Sequence, residues 1–133
     1  MPLVRKILLV DDHETILMIL ERLLEQPCVA FLRAGSGDEA LAVVREEHPD
    51  VVLLDVCMPG MDGLEVCEAI KSDPDLADVR VILMSAIIGE NGLQESSSEV
   101  RADGYVGKPF NPDLVRQGVA AMLAMNRGDV PEH

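Results

Sequence analysis

The chain has 133 residues, 48% of them hydrophobic but only 2% aromatic, which suits one domain whose core is built from Val, Leu, Ile, Met and Ala and leaves little for stacking nucleic-acid bases. A net charge of −13 repels polyphosphate and favours cations or basic protein surfaces, so direct nucleic-acid binding is not expected. Three cysteines without a CxxC pair (Cys28, Cys57, Cys67) fit reduced thiols in the cytoplasm, and the absence of an export signal or a membrane-length apolar run argues against secretion and membrane insertion.

Ile7-Leu8-Leu9-Val10 predicts a first strand, continuous in apolarity rather than alternating, and Ile16, Ile19, Leu20, Leu23 and Leu24 then form a helical stripe in the segment 13–26 that Pro27 closes. A second strand follows at Val29-Ala30-Phe31-Leu32. Ser36, with Glu39 three residues on, opens a second helix whose Ala40, Leu41, Val43 and Val44 face inward until His48-Pro49. Val51-Val52-Leu53-Leu54 is the third strand, and Asp62 with Glu65 makes a weaker cap before Leu64, Val66 and Ile70. Val81-Ile82-Leu83-Met84 is the fourth strand. The segment 89–103, with two glycines and Ser96-Ser97-Ser98, has little to bury and predicts a short or mobile fourth helix. Tyr105-Val106 marks a brief fifth strand. Asn111-Pro112 then opens a fifth helix carrying Leu114, Val115, Val119, Met122 and Leu123. Strands that are apolar throughout are buried on both faces, so the pattern predicts an α/β fold: a (βα)5 three-layer sandwich around a parallel five-stranded sheet. One domain is expected over residues 1–127, with 128–133 as a loose tail.

The polar residues at strand ends carry the chemistry. Asp11 and Asp12 follow the first strand and Asp55 the third, at the carboxyl edge where open parallel sheets bind ligands. Two like charges about 4 Å apart repel by roughly 4 kcal/mol at an effective dielectric near 20, so three converging carboxylates call for a proton or a cation. Mg²⁺, a hard ion that takes one or two carboxylates and leaves a position for a phosphate oxygen, is the simpler answer, with Mn²⁺ able to substitute. Asp-Asp alone reads as a helix cap; Asp55 at the matching end of another strand favours the metal. Ser85 after the fourth strand offers a hydroxyl and Lys108 after the fifth a point charge for phosphate. Together these residues suit a carboxylate nucleophile that accepts a phosphoryl group.

The motifs ILLVDD at 7–12, VVLLDVCMPGMDG at 51–63, MSA at 84–86 and GYVGKPF at 104–110 resemble the receiver domain of two-component response regulators. The resemblance runs from Lys6 to about Arg127 and implies a flavodoxin-like sheet of order 2-1-3-4-5. It implies Asp55 as phosphoacceptor, Mg²⁺ held by Asp11, Asp12, Asp55 and the backbone carbonyl of Cys57, and phosphoryl contacts from Ser85 and Lys108. It further implies a cis bond at Lys108-Pro109 and a switch pair of Ser85 and Tyr105, although Tyr105 reads equally as a half-buried strand aromatic. The implied partners are a histidine kinase or phosphotransfer protein upstream and a protein effector downstream, meeting the surface of the fourth helix, fifth strand and fifth helix, a face also open to a homodimer. The sequence shows no second domain after Arg127, so the output is expected to be carried by a partner.

Cys57 and Ile87 occupy places where the family often has polar side chains that influence loss of the phosphoryl group. Cys57 reads as a small packing residue rather than a redox thiol, and His13 as a first-turn residue near solvent rather than a ligand or base. Two other functions compete. One is a receiver-like interaction module that binds without phosphorylation, disfavoured by the complete set of five polar residues. The other is a haloacid-dehalogenase-type phosphatase, disfavoured because Asp55-Val56-Cys57 lacks that family's second acid. Turnover of an external substrate is therefore not expected.

Overall fold

The computed structural model describes residues 4–85, 102–107 and 111–125. Its elements are β1 (Arg5–Val10), α1 (Glu14–Leu24), β2 (Val29–Ala34), α2 (Gly37–Glu47), β3 (Val51–Asp55), α3 (Gly63–Ser72), a 3-10 turn (Pro74–Leu76), β4 (Arg80–Ser85), β5 (Gly104–Gly107) and α4 (Pro112–Met125). The last helix, expected as the fifth, is α4 here because residues 89–101 of the expected fourth helix lie outside the described residues. Ile87, Lys108, Pro109 and the tail 128–133 lie outside them too.

The five strands form one parallel sheet in the order β2-β1-β3-β4-β5. Successive side chains of a strand point to opposite faces, so each continuous apolar run supplies two cores. Leu8, Val10, Val52, Leu54, Val81 and Leu83 pack with α2 and α3 through Ala40, Leu41, Val44, Val66 and Ile70. Ile7, Leu9, Val51, Leu53, Ile82 and Met84 pack with α1 and α4 through Leu17, Leu20, Leu24, Val115, Val119 and Leu123. This is the three-layer sandwich, with β3 buried along its whole length.

The details depart from the sequence pattern where an element lies at an edge. The buried stripe of α1 is Leu17, Leu20 and Leu24, while Ile19 is exposed; on α4, Leu114 is exposed. Both helices cover one flank of the sheet, so a third apolar column on either faces solvent. β2 is only half-buried along most of its length because it is an outer strand with one neighbour.

The caps also sort differently from their sequence strength. Asp62 and Glu65 form the complete capping box, the Glu65 amide donating to Asp62 Oδ1 and the Asp62 amide to Glu65 Oε1, both at 3.0 Å. At α2 the Glu39 amide donates to Ser36 Oγ at 3.2 Å, but the Glu39 carboxylate turns to the Gly35 amide at 2.9 Å. Asn111 Oδ1 accepts from the Asp113 amide at 3.0 Å and so caps α4. The chain re-enters the sheet at Asp103, whose carboxylate accepts from the Val81 amide at 2.8 Å and pairs with Lys71 Nζ at 2.6 Å. That carboxylate joins the end of α3, the start of β4 and the start of β5.

His48 ends α2 in the left-handed region, at φ 48°, its amide donating to Val44 O at 2.9 Å. That conformation costs an L-residue about 1–2 kcal/mol, against about 0.5–1 kcal/mol of extra chain entropy for glycine. His48→Gly is expected to stabilise the fold by roughly 0.5–1 kcal/mol in urea unfolding; a loss of stability would show that the exposed imidazole makes a contact worth more than the strain.

Candidate functional site

Register brings the predicted residues to one edge of the sheet. Val10 pairs with Leu54, so Asp11, the next residue after β1, stands beside Asp55, the last residue of β3. Asp55 pairs with Met84, so Ser85, the last residue of β4, lies one step further along the neighbouring strand. Three polar side chains thus lie on three adjacent strands spaced about 4.8 Å apart. Asp11, Asp55 and Ser85 are 1%, 3% and 2% exposed, and they are the buried polar side chains among the described residues. A fold whose buried polar groups all gather at one place has spent hydrophobic core there, which is the usual mark of a functional site.

Asp11 is fixed from both sides. Its amide donates to Ala34 O at 3.2 Å, and its Oδ1 accepts from the His13 amide at 2.9 Å. Asp12 is more open to solvent. The His13 ring, at the N-terminus of α1 and largely exposed, brings Nδ1 to 3.2 Å from Asp11 Oδ1 and 3.3 Å from Asp12 Oδ1. Ligand atoms of Asp11, Asp12 and His13 lie within 4.8 Å of one another. His13 is near solvent, as the sequence suggests, yet it joins the acidic pair; its position two residues after Asp11 was the available signal. Asp55 is not part of that tight trio and faces it from the next strand. Two carboxylates beside a third, all oxygen donors, suit a hard divalent cation.

The β3–α3 loop leaves and returns beside Asp55. The Val56 amide donates to Met84 O at 2.9 Å and the Gly63 amide to Val56 O at 3.0 Å, while Met58 is buried in the α2–α3 core. Glycine is required at position 63, where a Cβ would run into the carbonyl oxygen of Asp55 and the Cα of Val56. Cys57 is exposed on this loop. Tyr105 pairs with Leu83 in register and is 40% exposed on the outer strand β5. Lys108 and Pro109 follow β5 in sequence and are outside the described residues.

The family model of the response regulator receiver domain matches residues 7–120. The chain belongs to that family. Sporulation initiation phosphotransferase F of Bacillus subtilis is 37% identical over 120 residues, covering 90% of this chain and 94% of the relative. The alkaline phosphatase synthesis transcriptional regulatory protein PhoP of the same organism is 37% identical over 119 residues, covering 90% of this chain but 48% of the relative. The chain therefore spans about half the length of the transcriptional regulators among its relatives, 45% for one from Guillardia theta. Among solved structures, the signal receiver domain of a histidine kinase from Syntrophus aciditrophicus superposes with a TM-score of 0.83 at 28% identity, covering 98% of this chain and 95% of that one. The chemotaxis protein CheY4 of Vibrio cholerae gives 0.79 at 28% identity, covering 90% and 98%. This chain is thus a receiver domain of the two-component response regulators, and none of its described helices is long and apolar enough to cross a membrane.

The receiver's three thiols divide by environment. Cys28 and Cys57 are exposed, Cys57 contrary to the packing role its sequence context suggests, because the loop turns it outward. Cys67 lies in the core against α2 and β3, and burial pushes its thiol up to about 11, opposed by nearby Lys71. A thiol whose folded pKa is raised stays neutral below its unfolded value, near 9, and costs stability only as pH rises from there towards about 11. At pH 8 a thiol reagent is expected to modify Cys28 and Cys57 in the native protein and Cys67 only after unfolding. Modification of Cys67 at the same rate as the other two would contradict its placement.

Proposed function

We propose that this receiver domain accepts a phosphoryl group on Asp55 and converts it into a change of protein-binding surface. The observation that carries the proposal is the gathering of the buried polar side chains, Asp11, Asp55 and Ser85, on the carboxyl ends of three adjacent strands. The donor is a histidine kinase, a phosphotransfer protein or a small phosphodonor. A carboxylate oxygen of Asp55 attacks phosphorus in line, a new O–P bond forms, and the bond to the donor's leaving atom breaks with its electron pair. Asp11, Asp12, Asp55 and the carbonyl oxygen of Cys57 would hold Mg²⁺, which would supply positive charge against the phosphoryl oxygens. The His13 amide donates to Asp11 Oδ1, and the His13 ring lies within 3.3 Å of both the Asp11 and Asp12 carboxylates, which supports a pair of acids gathered at this edge.

Ser85 and Lys108 are proposed to bind the phosphoryl oxygens on the side away from Asp11, with Pro109 aiming the lysine. The new group carries about −1.5 to −2 charges, and drawing Ser85 towards it frees room for Tyr105 to turn inward. Moving a two-state equilibrium from 1:99 to 99:1 takes about 5.5 kcal/mol, within reach of a few charge-assisted hydrogen bonds. The surface that changes lies around β5 and α4, where Tyr105 and Leu114 are already 40% and 57% exposed. A protein effector would read it. The receiver is a stoichiometric acceptor, and its named relative, a sporulation phosphotransferase, is consistent with phosphotransfer between proteins.

Incubation with acetyl phosphate and Mg²⁺, followed at once by intact-mass measurement, tests this reading. One phosphoryl adduct is expected on the parent and none on Asp55→Asn or in the presence of a chelator. An unmodified parent that also fails to bind beryllofluoride would overturn the phosphoacceptor role and leave a phosphorylation-independent interaction module.

A further inference from the structure

We propose that Gly37 is a positioning residue for the phosphoryl site, acting through the β3–α3 loop that carries Cys57. The inference rests on the metal and phosphoryl reading given above. Gly37 is the buried first residue of α2, and the space a Cβ would need there is already occupied. It would lie 2.5 Å from Met61 O, 2.9 Å from Met61 Cβ and 3.0 Å from Val66 Cγ2. The backbone of Gly37 is helical, a conformation alanine adopts freely and prefers over glycine, so the collision alone decides the effect of a methyl group.

Something must move, and the surroundings determine what. α2 is anchored by the Ser36 cap, by the bond from the Gly35 amide to Glu39, and by the buried Ala40, Leu41 and Val44. The loop is pinned at its ends, by the Val56 bond to Met84 on one side and by the Gly63 bond to Val56 on the other. Met61, between those ends, is struck on its own backbone oxygen, which cannot swing aside as a side-chain tip can. Close-packed interiors pass such a displacement on rather than absorb it. The span from Cys57 to Met61 shifts, and with it the Cys57 carbonyl relative to Asp55. Gly37 touches neither cation nor phosphate, yet it sets how far the loop stands from them.

Gly118, on α4 in the opposite layer, supplies the matched control, since its Cβ would meet only Ile82 Cδ1 at 3.8 Å. Gly37→Ala is expected to weaken Mg²⁺ binding about tenfold, the scale of substitutions that act behind a metal's own ligands. In the metal-free protein its amide shifts should change most at Cys57, Met58 and Gly60, whereas Gly118→Ala leaves both readouts unchanged. Shift changes confined to residues 35–41 with unchanged Mg²⁺ affinity would overturn the proposal. If the parent itself binds no Mg²⁺, the reading of the metal site fails, and the amide pattern still decides the role of Gly37. Should Gly37→Ala not fold, Gly37→Ala combined with Met61→Gly, which removes the 2.9 Å contact with Met61 Cβ and lets the backbone at 61 turn its oxygen aside, is compared with Met61→Gly alone: amide changes centred on Cys57, Met58 and Gly60 would support the proposal, and changes confined to residues 35–41 would overturn it.

Discussion

Asp11 and Asp55 stand side by side at the ends of two adjacent parallel strands, both almost wholly buried, in a chain that already carries a net charge of −13. At one strand spacing of about 4.8 Å, two carboxylates repel by roughly 3–4 kcal/mol at an effective dielectric near 20. Folding forces that proximity, because the register Val10 to Leu54 is set by apolar residues that fill two cores at once. A slip of one residue would exchange the faces of every side chain in the strand, so the sheet cannot relieve the repulsion by sliding. The hydrophobic layers thereby hold two carboxylates together at one edge, the place where the proposed function would put a cation.

The rest of the edge is arranged around that constraint. Hydrogen bonds from His13 fix Asp11, the capping box of Asp62 and Glu65 fixes the start of α3, and glycine at 63 lets that helix begin against the backbone of Asp55. The site therefore sits on buried strand ends, and the surface proposed to carry the output, around β5 and α4, has exposed apolar side chains at Tyr105 and Leu114. Burial where the phosphoryl group would arrive and exposed apolar side chains where a partner would bind is a workable division for a switch.

Much of this was legible in the sequence because a parallel sheet writes itself plainly. Runs such as Val51 to Leu54 have one interpretation once helices flank them, and polar residues directly after them must lie at the carboxyl edge. Side-chain burial was less legible. Ile19 and Leu114 sit at positions that a helical wheel places inward, and they are exposed because each helix covers only one flank of the sheet. His13 is near solvent, as its helix-start position suggests, but only the fold shows that its ring reaches both carboxylates, the one hint in the sequence being its place two residues after Asp11. Gly37 had no signal at all, as its importance lies in a contact with Met61 that only the fold creates.

The central claim is that the carboxylates are held together at a cost that a divalent cation offsets. The most direct measurement is the unfolding free energy of the parent and of Asp12→Asn, each with and without Mg²⁺. The parent is expected to gain about 2.7 kcal/mol at a Mg²⁺ concentration one hundred times its dissociation constant. Without Mg²⁺, Asp12→Asn should be at least as stable as the parent, and adding Mg²⁺ should raise it far less. A parent indifferent to Mg²⁺, together with a variant less stable than the parent in its absence, would contradict the claim.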